Sequence, residues 1–134
     1  MAEKVQRPQK CITENEAREL HDNWCAKRGN QLNKKLGFED AHEFHWSVAE
    51  LEEYLAYVKQ ESAEQGIKDP GIRIYLGAYP KSKCKIKKGL STLFFAPTGS
   101  RPGAAGKDGD GDEENNYDID AFNGGSSGWP PNKF

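Results

Sequence analysis

The sequence predicts an α+β fold: two N-terminal helices packed on a small sheet built around a β-hairpin, with an irregular Gly-rich C-terminal tail. Three observations predict it. Two runs rich in β-branched and aromatic residues, Ile72–Tyr79 and Leu90–Ala96, lie within a stretch bounded by Gly71 and Pro97, which is the signature of paired strands. Thr13 with Glu16 and Ser47 with Glu50 each match a capping box, the sequence mark of a helix start. After Pro97 the chain turns Gly-rich, polar and acidic, a composition that buries too little apolar surface to offset ordering entropy by itself.

The first capping box opens a helix on which Ala17, Leu20 and Trp24 recur at helical spacing, with Leu32 and Leu36 extending the row. Gly29-Asn30 is its weak point, and Gly37 is placed to end it. The second box opens a helix with an apolar stripe of Val48, Leu51, Leu55 and Val58 and with Tyr54 at its edge, ending at Gly66. Trp46 and Leu51 flank this start as a hydrophobic staple would.

On the first strand Ile72, Ile74, Leu76 and Ala78 share one face, while Arg73, Tyr75, Gly77 and Tyr79 share the other. The expected core joins Ile72, Ile74, Leu76, Leu51, Leu55, Val58, Leu20 and Trp24. The chain thus divides into a flexible arm (1–11), a single α+β domain (12–97) and a Gly-rich acidic tail (98–134) whose residues are expected to stay out of the core.

Composition narrows the function classes. With 134 residues, 35% hydrophobic and 30% charged, the chain supports one domain with a modest core. No apolar run is long enough to span a membrane, and Met1 to Lys10 is polar. Cys11, Cys25 and Cys84 are odd in number and widely spaced, which argues against a disulfide framework and for a cytoplasmic setting. The net charge of −2 is too small to imply nucleic acid from bulk charge.

The pattern Trp46-Ser47, Leu51-Glu52, Tyr54, Gly71-Ile72-Arg73-Ile74-Tyr75, Gly77-Ala78-Tyr79-Pro80, Thr92, Phe94 and Pro97-Thr98 resembles one found in a family of small uncharacterised bacterial proteins. The resemblance covers about Trp46 to Thr98 and implies a fold. It implies no activity.

Four clusters invite chemistry. His21 and Cys25 at i, i+4, with His42 and His45 further on, are residue types that zinc accepts, but the usual paired-ligand spacings are absent. Half-buried or surface side chains explain them better. Asp108-Gly109-Asp110-Gly111-Asp112 resembles the start of a calcium loop, yet Glu113 and Ile119 stand where that loop needs Gly and Glu. No metal or cofactor is expected. Each cysteine could be a nucleophile, Cys84 among lysines above all, but no partner residue is committed by position, so no catalytic residue is assigned.

The fourth cluster is the binding candidate. Lys81, Lys83, Lys85 and Lys87 would fall on one side of an extended segment, with Lys88 beside them and Arg73 on the preceding strand. A solvated hairpin tip guarding a sheet edge explains them equally well. The expected function is a non-catalytic cytosolic interaction module whose tail and basic hairpin engage a macromolecular partner, most simply a protein. The alternatives are a nucleic-acid-binding accessory protein and an enzyme with an unrecognised site.

Overall fold

The structure, a computed structural model, describes residues 4–81, 89–100 and 114–127. The chain divides into two compact units, the first ending at Asp40 and the second beginning at Ala41. The α+β expectation holds: helices precede a small antiparallel sheet.

In the first unit, helix α1 (Glu14–Trp24) starts at the expected capping box: Thr13 Oγ1 accepts from the Glu16 amide at 3.1 Å, and Glu16 Oε1 accepts from the Thr13 amide at 3.0 Å. These bonds satisfy two N–H groups that the first turn leaves without intrahelical partners. The helix does not break at Gly29-Asn30. It widens into one π-helical turn (Cys25–Gly29) and continues as α2 (Asn30–Leu36) to Gly37, which is left-handed at φ 79°. Trp24 and Gly29 stand five residues apart, the period of a π turn, and the indole lies over the glycine. A Cβ on Gly29 would meet the Trp24 ring at 3.0 Å. The glycine is the contact surface of the tryptophan.

In the second unit, strand β1 (Phe44–His45) leads to helix α3 (Val48–Glu64), again opened by its capping box, Ser47 Oγ with the Glu50 amide and Glu50 Oε1 with the Ser47 amide. Its end is a complete Schellman motif. The Ile67 amide donates to Ser62 O at 2.8 Å and the Gly66 amide to Ala63 O at 3.0 Å, with Gly66 at φ 78° and Ile67 buried.

Strands β2 (Gly71–Ala78) and β3 (Ser91–Thr98) form the expected hairpin, with Ile74 opposite Phe95 and Tyr75 opposite Phe94. The other flank of β3 is taken by residues 114–123, which run antiparallel to it. Gly99 donates to Glu114 O, Asn116 donates to Pro97 O, and Phe95 and Phe122 exchange both backbone bonds. The same segment continues into β4 (Ser126–Ser127), which pairs with β1. Phe95 and Pro97 point their main-chain groups toward this segment, so Pro97's missing N–H costs the β2 ladder nothing.

The core is Tyr54, Val58 and Ile119, with Ile72, Phe95 and Phe122 packed against it. Tyr54 stacks on Phe122 with centroids 4.6 Å apart, and Trp46 lies 4.8 Å from Phe95. The ring contacts of Trp46, expected as a local staple, are thus with Phe95 and Phe122.

Two expectations are corrected. The segment after Pro97 does join the core, through Ile119 and Phe122. Consequently the expected core list is only partly right. Val58 is buried and Ile72 packs on it, but Ile74 is 58% exposed, Leu76 80%, Leu55 46% and Leu20 63%. The physical reason is competition for the inner face of the sheet. Aromatic rings from β3 and from residues 114–123 take the space over which α3 was expected to lay Leu55. The buried stripe of α3 is therefore Tyr54, Val58 and Ser62, at i, i+4 and i+8. Trp24 packs on its own helix, at Gly29.

Candidate functional site

The sequence-predicted binding residues are only partly within view. Arg73 sits half-buried on β2 and Lys81 is exposed just beyond it. Lys83, Lys85, Lys87 and Lys88, together with Cys84, lie outside the described residues, as does the acidic stretch Asp108–Asp112. In the first unit His21 Nε2 is 3.5 Å from Cys25 Sγ, one turn apart, and Cys11 is exposed. Two such donors are half of a tetrahedral zinc set. In the second unit His42 is half-buried and His45, on β1, is exposed.

The two faces of the β2–β3 hairpin differ in chemistry because opposite residues of an antiparallel pair share a face. On the Arg73 face, Arg73 Nη1 donates to Asn115 Oδ1 at 2.7 Å, and Asn115 Nδ2 donates to the Tyr75 hydroxyl at 2.9 Å. That amide donation, reinforced by Arg73, holds the Tyr75 phenol below its ordinary pKa. Tyr75 stacks on Phe94 with centroids 5.3 Å apart. Further along, Tyr79 donates to Asn123 Oδ1 at 2.7 Å, and Asn123 Nδ2 reaches Thr92 Oγ1 at 3.2 Å and Leu93 O at 2.6 Å. The polar groups of this face bond one another and fasten residues 115 and 123 to the hairpin.

The opposite face is apolar. A cavity of about 190 Å³ is lined by Leu51, Tyr54, Leu55, Ile72 and Phe95. Tyr54 lines it with apolar atoms, while its hydroxyl donates to Asp120 O at 2.9 Å. Burial foremost, then the charges of Tyr57 and Asp120, pushes that phenol up to about 12, so it stays protonated at neutral pH. Such a lining binds apolar groups but supplies no general acid or base near pH 7. Beside the cavity, Ile74 and Leu76 stand exposed on the same face of the hairpin, and Leu55 of α3, in the cavity wall, is itself exposed.

The edge of β2 completes the surface. Tyr79 donates to Leu90 O, which makes Tyr79–Leu90 a hydrogen-bonded pair. By the antiparallel alternation, Arg73, Tyr75 and Gly77 also direct their main-chain groups to β3. Ile72, Ile74, Leu76 and Ala78 therefore direct theirs outward, and among the described residues no strand pairs with that edge.

Sequence reading missed Asn115 and Asn123, whose role depends on strand partners 40 and 31 residues away, and it placed Tyr54 at the edge of a stripe it centres. A polar residue's long-range partner leaves no local pattern to find. No helix among the described residues is long and apolar enough to cross a membrane. In comparison with known proteins, the chain matches no family model, no curated protein and no solved structure.

Proposed function

We propose that this chain is a non-catalytic interaction module that engages a protein partner through the apolar surface between α3 and the outer edge of β2. The observation that carries this reading is the exposure of Ile74, Leu76 and Leu55 around a cavity walled by apolar side chains. Contiguous apolar surface of this kind marks an association site. An enzyme reading would call for polar groups converging on the cavity. Here the described polar network lies on the other face of the sheet and is spent on anchoring residues 115 and 123. The basic connection that begins at Lys81 adds, in this reading, a contact for acidic surface, and the setting is cytosolic.

The nucleic-acid reading draws on Arg73, Tyr75 and Tyr79, which share a face and are of types that hold phosphates and stack on bases. It is the weaker reading, because their polar groups are engaged with Asn115 and Asn123.

The test is site-specific photo-cross-linking in native lysate. A photoreactive phenylalanine in place of Leu76 should yield discrete protein adducts, whereas the same group in place of Glu53, exposed on α3, should not. Absence of adducts at position 76 would reject the surface. Cross-linking of position 76 chiefly to RNA would favour the nucleic-acid reading.

A further inference from the structure

We infer that His21 and Cys25 form a zinc-binding site on the helix of the first unit, a site independent of the interaction surface proposed above. Sequence spacing argued against a metal, because the chain lacks the short paired-ligand spacings by which most zinc sites are recognised. A helix offers another route. Residues four apart stand on one face, and the H-E-x-x-H helices of zinc enzymes hold the ion with two ligands at that spacing.

The geometry carries the inference. His21 Nε2 and Cys25 Sγ are 3.5 Å apart. With Zn–S about 2.3 Å and Zn–N about 2.0–2.1 Å, a tetrahedral angle sets the two donor atoms about 3.5 Å apart. A right angle, as neighbouring ligands of a square-planar Cu(II) ion take, would set them about 3.1 Å apart, and a linear arrangement about 4.3 Å. The pair already has the span of one edge of a zinc tetrahedron. Nitrogen and sulfur donors also turn away Mg²⁺ and Ca²⁺, which take oxygen.

The backbone holds the pair in place. Cys25 opens the π turn: its amide donates to the His21 and Asp22 carbonyls, and its own carbonyl accepts from the Asn30 amide five residues on. Trp24 lies against Gly29 across the same turn. Single π turns within α-helices recur at functional sites. Both donor side chains are half-buried, so they are partly desolvated yet reachable by an ion. On binding, the Cys25 thiol gives its proton to solvent and the thiolate sulfur bonds the ion. His21 stays neutral, with its ring proton on Nδ1 and the Nε2 lone pair on the metal. Water completes the coordination that these two donors begin.

The experiment uses the full chain carrying Cys11→Ser and Cys84→Ser together, so that Cys25 is its only thiol. Co²⁺ serves as a coloured probe for the zinc position. It should give a near-ultraviolet thiolate-to-cobalt band with the intense visible absorption of tetrahedral cobalt, and Zn²⁺ should bleach both. Cys25→Ser should abolish the thiolate band, and His21→Ala should weaken Co²⁺ binding about tenfold or more. One measurement alters neither ligand and so does not depend on how those variants fold. Zn²⁺ should slow alkylation of Cys25 by iodoacetamide about tenfold or more, because the bound thiolate is no longer a free nucleophile, whereas Mg²⁺ should not. Absence of the thiolate band, the weak visible absorption of octahedral cobalt, or alkylation unchanged by Zn²⁺ would overturn the site. Full affinity in a folded His21→Ala protein would overturn it too, marking a thiolate that takes metal adventitiously.

Discussion

The Tyr79 hydroxyl donates to Asn123 Oδ1 at 2.7 Å, while the same amide turns its nitrogen to Thr92 Oγ1 and the Leu93 carbonyl. One side chain thus bridges both strands of the hairpin to the segment that flanks β3. Asn123 is exposed, so water replaces part of what a substitution removes, and Asn123→Ala should cost about 1 kcal/mol. Its signature is local: the amides of Phe95 and Phe122, each of which donates to the other residue's carbonyl, should exchange faster. Equal stability with unaltered exchange at those two amides would show that the amide bridge holds nothing.

The core contacts separate two residues that sequence alone ranks the other way. Ile119→Ala should cost about 2–5 kcal/mol by opening a cavity between Tyr54 and Val58. Leu55→Ala, on a side chain 46% exposed, should cost less than about 1.5 kcal/mol because little is withdrawn from contact. Urea denaturation of the two variants side by side checks the order. A larger loss for Leu55→Ala would place α3 in a different rotation.

This contrast marks how far the sequence could be read. Helix starts, the Gly37 and Gly66 ends, and the hairpin were legible because capping boxes, left-handed glycines and period-two alternation are local. The rotation of α3 was not. Val48, Leu51, Leu55 and Val58 form as good a stripe as Tyr54, Val58 and Ser62, and the choice falls to Phe122 and Ile119, which meet the helix from more than fifty residues away. The composition of residues 98–134 misled for the same reason: two apolar side chains at the right places dock a segment that is polar on average. Of the candidate site, Arg73 was legible as exposed chemistry, but its engagement with Asn115 was not.

Tyr54 gives the fold an alkaline limit. Its phenol is raised from the ordinary value of 10 to about 12, so the folded state holds its proton where the unfolded chain has begun to lose it. The associated stability is fully present below pH 10 and is lost as pH rises toward 12. Tyr54→Phe should be less stable at neutral pH by about 1 kcal/mol, for the lost bond to Asp120 O, and its melting temperature should fall less steeply between pH 10 and 12. Parallel declines in the two proteins would remove Tyr54 as the cause.

The capping boxes set the acid side. Glu16 and Glu50 are held below the ordinary carboxylate range, each chiefly by the backbone N–H of its N-cap residue, Thr13 or Ser47. Their contribution is present above the ordinary value of 4.5 and is lost as pH falls through the lowered folded value. Ser47→Ala should cost about 1 kcal/mol at neutral pH. Glu50→Gln, whose amide oxygen still accepts from Ser47 but does not titrate, should flatten the acid decline of α3 helicity followed by circular dichroism. An identical acid profile in Glu50→Gln would exclude the box as its source.

Because β3 receives its second flank from residues 114–123, and β1 pairs with Ser126 and Ser127, the order of synthesis works against the order of assembly. The hairpin and α3 emerge first and wait, with β3 bare on one side, for the stretch from Thr98 to Ser127. At roughly 5–20 residues per second that wait lasts about 1.5–6 s. During it the described part of the nascent sheet has both outer edges unpaired, and the β3 edge closes when residues 114–123 arrive. Assembly of this sheet therefore waits on residues 114–127, and a stall before Ser127 would leave a sheet primed to pair with whatever strand it meets.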